Sequence, residues 1–152
     1  MENNGKENLD LDHGGSRMYR ERIKRLNGVN LIYENEQGDI FLAKSTLASP
    51  TDGKFRFKLP GGSINSGEPP RHAACAKMTE TTSIHFNEKD IDLVGIMMQI
   101  TPGVTETNGF VFLYRAQKYA GNPILSEKVS EYNYFSHEEI TELAKEHQKN
   151  TI

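Results

Sequence analysis

The sequence predicts a single domain of mixed α/β class, and three observations predict it. With 152 residues, the chain has the length of one ordinary domain and is long enough to bury a core. Short apolar runs bounded by turn-forming residues recur after residue 28 and are typical of β-strands. One alanine-rich stretch near the middle and one polar stretch near the C-terminus have the composition of helices.

The strand predictions follow from alternation and from the turn residues that bound each run. Val29 to Ala43 is predicted to form a hairpin whose turn contains Gly38. Apolar and charged side chains alternate from Phe55 to Leu59, which predicts a short strand that ends before a loop of glycines. The remaining predicted strands cover residues 92–100, 109–117 and 131–135, with a loop at 101–108 that is placed to line a pocket.

Two helices are predicted from their start signals. Pro69 and Pro70 suit a first helical turn, where a missing N–H has no intrahelical partner to lose, and residues 71–82 are mostly good helix formers. Ser136 is a candidate N-cap for a second helix over residues 137–148. Glu139 lies three residues later and completes a capping box.

Composition and charge exclude several classes of protein. A net charge of −3 does not provide the basic surface of a dedicated nucleic-acid binder. No apolar run approaches the ~18 residues of a membrane span, and the N-terminus lacks the apolar core of a signal peptide. Cys75 is the only cysteine, which fits a reducing cytoplasm. We therefore expect a cytoplasmic protein without a membrane partner, in which polar residues 1–20 are a flexible segment and residues 21–152 form the domain.

The most informative stretch runs from Gly61 to Ile84 and reads GGSINSGEPPRHAACAKMTETTSI. It is preceded by Phe57-Lys58-Leu59-Pro60. The stretch resembles the Nudix box, G-x5-E-x7-R-E-U-x-E-E-x-G-U, in which U is bulky and apolar. The residues that match this pattern are Gly62, Glu68, Met78, Glu80 and Ile84. A second stretch, residues 131–140, resembles a segment near the end of many Nudix domains, so the resemblance spans about residues 26–148.

The resemblance implies a Nudix-type α/β/α sandwich with a mixed β-sheet, a central box helix and a C-terminal helix. It also implies hydrolysis of a nucleoside diphosphate linked to another moiety, assisted by Mg²⁺ or Mn²⁺. Divalent ions neutralise the phosphate charge and lower the pKa of the attacking water. In the family, a helix supplies their oxygen ligands from carboxylates at positions i, i+3 and i+4, which share one face.

This chain departs from the box where the carboxylates belong. The three positions on the shared helix face read Lys77, Glu80 and Thr81, so one carboxylate remains and a cation stands beside it. The Lys77 ammonium is expected within ~4–6 Å of Glu80, where opposite charges attract appreciably. Ala76 replaces the arginine that anchors the loop glutamate in the family, which removes the expected partner of Glu68. Ser83 replaces the glycine that ends the box helix.

Two hypotheses follow, and the sequence leaves both open. In the first, the metal site is degraded, and Gly61, Gly62, Lys77 and Thr81 bind a nucleotide-like or phosphorylated small molecule with weak or no hydrolysis. In the second, the chain is an active hydrolase in which Glu80 and Glu68 are the catalytic and metal-binding residues. A distant acid would complete the rearranged Mg²⁺ or Mn²⁺ site, and the candidates are Glu106, Glu127 and Glu131. The resemblance also allows a homodimer.

Overall fold

Two β-sheets and two α-helices make up the part of the chain that the computed structural model describes, residues 27–48, 53–101 and 104–149. The first sheet contains β1 (Gly28–Ile32), β4 (Gly61–Ser63), β5 (Ile91–Thr101) and β6 (Val104–Ala116), in the order β4-β1-β6-β5. The second contains β2 (Ile40–Ser45), β3 (Phe57–Lys58) and β7 (Val129–Phe135), in the order β3-β2-β7. The helices are α1 (Pro70–Thr82) and α2 (His137–Lys149).

The first sheet is mixed, as the resemblance to the Nudix family implied. Strand β1 runs parallel to β6, with Leu31 opposite Tyr114, and antiparallel to β4, with Val29 opposite Gly62. The β5–β6 pair and every pair of the second sheet are antiparallel. Helix α1 packs on β1, β4 and β6. The predicted α/β sandwich with a central and a C-terminal helix is therefore confirmed.

The hydrophobic core lies where α1 covers the first sheet. Val29 and Leu31 of β1 are 1% exposed, and Met78 of α1 is fully buried in the same cluster. Tyr33 brings its ring into this core and keeps its hydroxyl satisfied, because it donates to the Gly121 carbonyl at 2.7 Å and accepts from the Ala120 N–H at 2.8 Å. This packing fixes α1 relative to the glycine strand β4.

The predicted hairpin from Val29 to Ala43 is wrong in its pairing. Both strands form, but β1 lies between β4 and β6 while β2 lies between β3 and β7 in the other sheet. Their ends are joined at the turn by a bridge between Glu34 and Ile40, by the bond from the Phe41 N–H to the Tyr33 carbonyl at 2.8 Å and by the bond from the Asn35 N–H to the Asp39 carbonyl at 2.9 Å. The two strands therefore pair with other strands along their length and not with each other, and local alternation does not predict which strands pair.

Two further predictions need correction. Only Phe57 and Lys58 of the predicted strand Phe55–Leu59 are paired, and the glycines expected in a loop form β4 instead. The loop predicted at residues 101–108 is mostly strand, because β6 begins at Val104 opposite Thr101. The long pairing of β5 with β6 extends the hairpin past the point where turn-forming residues suggested a break.

Both helices begin where the sequence predicted. Pro70 is at the first helical position of α1 after Pro69 in an extended conformation. At the start of α2, the Glu139 N–H donates to the Ser136 hydroxyl and the Ser136 N–H donates to the Glu139 carboxylate, each at 3.2 Å. These reciprocal bonds are the predicted capping box. Residues 1–20, predicted to be flexible, lie outside the described residues, and no described helix is long and apolar enough to cross a membrane.

Ser83 ends α1 in a backbone conformation that favours glycine. Its φ of 61° and ψ of 11° are left-handed, and its N–H donates to the Thr79 carbonyl at 2.9 Å. A side chain in this region costs about 1 kcal/mol or more, because Cβ crowds the following carbonyl oxygen. With serine in place of the glycine of the box, α1 still ends at this position, but the Ser83 backbone is strained.

Substituting Ser83→Gly should stabilise the protein. Relief of the left-handed strain outweighs the added freedom of the unfolded chain, so we expect the free energy of unfolding to rise by about 0.5–1 kcal/mol. Urea denaturation monitored by circular dichroism measures this change. Ser83→Ala is the control, because alanine keeps the Cβ and should give no gain; equal stability of the two variants would contradict the assignment.

Candidate functional site

A cavity of about 340 Å³ opens beside α1, between the ends of β2, β3 and β4 and the segment that leads into β7. Three lysines and one glutamate are the charged residues among its described lining. The lining consists of Ala43, Ser45, Lys58, Leu59, Pro60, Gly61, Lys77, Glu80, Thr81, Ser126, Lys128 and Val129. With three cations against one anion, the cavity is suited to an anionic ligand.

The glycine strand brings the floor of the cavity close to the core. A Cβ on Gly61 would collide with the Val29 carbonyl oxygen and with the side chain of Asn30, so only glycine fits between them. The Pro60 carbonyl accepts the Leu31 N–H at 2.9 Å, which continues the pairing of β4 with β1 beyond the strand. The retained glycine therefore has a packing role whatever the site binds.

Lys77 and Glu80 are on one face of α1, as their spacing predicts. The Lys77 Nζ is 3.6 Å from the Glu80 Oε2, and the two side chains are 29% and 42% exposed. The stem of Lys77 passes over Gly62, where a Cβ would be only 3.0 Å from the lysine Cε. The absence of a side chain at Gly62 thus leaves room for the lysine stem to lie against β4, with Lys77 lining the cavity.

A second lysine reaches Glu80 from the other side of the cavity. The Lys128 ammonium forms a hydrogen-bonded ion pair with the Glu80 Oε1. The backbone of Lys128 is fixed, because its carbonyl accepts both the N–H of Thr46 at 2.9 Å and the hydroxyl of Thr46 at 3.2 Å. The β2–β7 register shifts between Lys44 and Ser45, so this segment leaves the regular ladder at the cavity.

The two lysines keep Glu80 ionised. The hydrogen bond from Lys128 and then the charge of Lys77 lower the pKa of the Glu80 carboxyl below its usual value. Because the folded pKa lies below the unfolded one, the pair stabilises the fold above the usual carboxyl pKa and loses this effect as pH falls through the lowered value. At neutral pH, both carboxylate oxygens are therefore engaged by ammonium groups.

Glu68 contacts Asn65 and His72 in place of the arginine of the family pattern. Its Oε1 accepts the Asn65 N–H at 3.2 Å, and its Oε2 is 3.8 Å from the His72 Nε2. Its side chain is 17% exposed and does not belong to the described lining of the cavity. Glu68 closes the loop before α1, and the contacts of Glu68 and Glu80 do not bring the two carboxylates to a common partner.

The other candidates divide between the cavity and the surface. Thr81 lines the cavity on the same helix face as Lys77. Glu131 forms an ion pair with Lys44 at 3.2 Å, and Glu127 is exposed. The side chain of Glu106 lies outside what the structure describes.

The donor set does not fit a divalent metal ion. Mg²⁺ requires several oxygen ligands that converge at about 2.0–2.1 Å, but both oxygens of Glu80 carry lysine partners and Glu68 is engaged by Asn65 and His72. Within the described ranges, no three His, Cys, Asp or Glu side chains group as metal ligands. The ammonium groups of Lys77 and Lys128 take the positions around Glu80 that a cation would need.

Sequence reasoning missed Lys58 and Lys128. The alternation of Phe55–Leu59 places Lys58 opposite the apolar side chains of its strand, but not beside α1. Lys128 is 48 residues from Glu80 in the sequence. The candidate from this segment was Glu127, as a metal ligand. No local pattern distinguishes which side chain of this segment turns toward the helix.

Comparisons with known proteins agree with the fold. A family model described as the NUDIX domain matches residues 24–152. Similar solved structures include a MutT protein from Methanosarcina mazei Go1, 19% identical over 84% of this chain and 95% of that one, with a TM-score of 0.62. A MutT NUDIX hydrolase from Burkholderia pseudomallei is 20% identical over 79% and 96%, with a TM-score of 0.60. A C. elegans Ap4A hydrolase binary complex is 15% identical over 79% and 86%, with a TM-score of 0.57. No curated protein matches the sequence.

Proposed function

This chain belongs to the Nudix family, and on that premise we propose that it binds a nucleotide-like or phosphorylated ligand in the lysine-lined cavity, with weak or no pyrophosphohydrolase activity. One observation carries the proposal. Lys77 and Lys128 hold the two oxygens of Glu80, the carboxylate that remains on the metal-binding face of the box helix. An ammonium on each oxygen favours anion binding at this position over cation binding.

The cavity supports a phosphate-sized ligand in charge and in size. Lys58 lines it without an ion-pair partner among residues 27–48, 53–101 and 104–149, so its charge is available to a ligand. A volume of about 340 Å³ lies at the lower end of the range for small-molecule sites. Lysine binds phosphate as a point charge, and the Gly61 backbone and the Thr81 hydroxyl offer further polar contacts.

Membership of the Nudix family supports the proposal that the phosphorylated ligand is nucleotide-like. Nudix proteins generally use Mg²⁺ or Mn²⁺, and one structural neighbour is named as an Ap4A hydrolase. Lys77 stands where the family pattern has a carboxylate, so this chain places a cation at the position from which the family binds a metal ion. A cation at that position favours a phosphate site that works without metal.

The direct test is titration calorimetry of inorganic pyrophosphate and of ADP without metal. We expect binding that weakens roughly tenfold in Lys77→Met and in Lys128→Met, since each removes one charged contact. Lys145→Met is the matched control, because the Lys145 Nζ lies 3.3 Å from the Glu142 Oε1 on helix α2 and neither residue is in the described lining of the cavity. It should bind like the wild type.

The same protein is then assayed for metal-dependent hydrolysis of dinucleotides, nucleotide sugars and nucleoside triphosphates. Turnover in Mg²⁺ or Mn²⁺ that disappears in Glu80→Gln would overturn the proposal and establish a hydrolase with a rearranged metal site. Metal-free binding that is insensitive to Lys77 and Lys128 would place the ligand elsewhere.

A further inference from the structure

Glu80 is the single acid among the described residues that line the cavity, and it lies between two of the three lysines. The i, i+3 spacing on α1 presents it to Lys77, and the fixed backbone of Lys128 presents it to the second ammonium. Neither oxygen of this carboxylate faces the cavity without a cation. In charge and position, Glu80 resembles a bound anion.

We propose that Glu80 is an internal anion that occupies the phosphate position in the ligand-free protein and must be displaced for a ligand to bind. The inference rests on the proposed function, because it concerns the same cavity. Among the phosphorylated ligands of the proposed function, it favours an inorganic or esterified diphosphate, the class that the family resemblance already implies, over a single phosphate. A single phosphate group competes poorly with a carboxylate tethered beside the lysines, whereas a diphosphate can contact Lys58 with one group and take Lys77 and Lys128 with the other.

The contacts of the three side chains allow this exchange. Glu80 is 42% exposed and can rotate into solvent, and ion pairs that water reaches are weak. The stem of Lys77 rests on Gly62 and keeps its ammonium at the cavity when the partner leaves. Lys128 has a 73% exposed side chain on an anchored backbone, so it can move from the carboxylate to a ligand.

The displacement has a measurable consequence for affinity. Removing the negative charge of Glu80 frees two ammonium groups without removing any contact to the ligand. Glu80→Gln should therefore bind pyrophosphate about fivefold more tightly, the order expected when partly exposed ion pairs of about 1 kcal/mol no longer compete with the ligand. The ratio of the pyrophosphate affinity to the orthophosphate affinity should fall in the same variant. Orthophosphate is the weaker competitor of the carboxylate, so its affinity gains more when the negative charge of Glu80 is removed.

The experiment is titration calorimetry of inorganic pyrophosphate and orthophosphate, without metal, into the full chain and its variants. Glu142→Gln is the matched control, since Glu142 forms an i, i+3 pair with Lys145 on α2 and its loss changes the net charge equally. It should leave both affinities within about twofold of the wild type. Thermal denaturation confirms that both variants are folded.

The outcomes separate this inference from the proposed function. If the wild type binds pyrophosphate through Lys77 and Lys128 but Glu80→Gln binds equally or more weakly, the displacement is wrong and the anion site stands. Equal gains in Glu80→Gln and Glu142→Gln would reduce the effect to net charge and also overturn the inference. Absence of binding to every form would overturn both, whereas binding to Glu80→Gln alone would support a strong internal anion.

Discussion

Replacing Gly61 with alanine should lower the free energy of unfolding by roughly 3 kcal/mol, the upper part of the range for inserting a methyl where there is no room. The added Cβ would meet the Val29 carbonyl oxygen and Asn30, both on β1. These are held in place by pairing with β4 and by the parallel ladder to β6. The strands must separate to accept the methyl group, and the pairing that forms the floor of the cavity is lost. Urea denaturation measures the effect.

Gly62→Ala is the matched comparison, one residue away in the same strand. Its Cβ would meet the Cε of Lys77 at 3.0 Å, and the end of a flexible stem can move. We expect a stability change below about 1 kcal/mol, together with weaker pyrophosphate binding because the ammonium is displaced. Similar stability losses for both variants would show that β4 does not approach β1 as closely as the contacts at Gly61 indicate.

The two glycines show how far a sequence motif can be interpreted. The motif identifies both, but only the pairing of β4 with β1 shows that Gly61 is required for packing while Gly62 faces the lysine stem. The resemblance identifies the spacing of the two glycines without separating these roles. That separation depends on β1, whose position in the sheet is set by β6 and not by its neighbour along the chain.

Local signals account for the parts of the fold that the sequence predicted well. The helix starts at Pro70 and at Ser136 are determined within one turn by capping and by the absence of an N–H, so they can be deduced from a few residues. Strand pairing is different. β1 pairs with β4 and β6, and β2 pairs with β3 and β7, in two different sheets. This arrangement depends on the burial of side chains such as Leu31 and Phe41, which a local pattern does not reveal.

The candidate site also has one part that a local pattern predicts and one part that depends on long-range pairing. The Lys77–Glu80 pair follows from helical periodicity and is seen at 3.6 Å. Lys128 is brought to Glu80 by the β2–β7 pairing, its register shift and the bonds of Thr46 to the Lys128 carbonyl. These are long-range features without a local pattern, so the sequence alone accounts for one of the two cations on the carboxylate.

Restoring the box positions alone should therefore fail to restore tight Mg²⁺ binding. The triple variant Ala76→Arg, Lys77→Glu and Thr81→Glu returns the family pattern to the helix face, where Ala76 is exposed and has room for a longer side chain. Lys128 remains beside Glu80, and its ammonium would also be attracted by the carboxylates introduced at positions 77 and 81. We expect only weak Mg²⁺ binding by calorimetry.

Adding Lys128→Met to the triple variant should strengthen Mg²⁺ binding by roughly tenfold or more, because the oxygens of Glu80 then become available as ligands and a nearby positive charge is removed. The control adds Lys145→Met instead, which changes the net charge equally on helix α2, outside the described lining of the cavity. Equal Mg²⁺ affinity with and without Lys128 would show that this lysine does not oppose the metal. A tenfold gain confined to Lys128→Met would show that the metal site was lost through a residue outside the box as well as through the box itself.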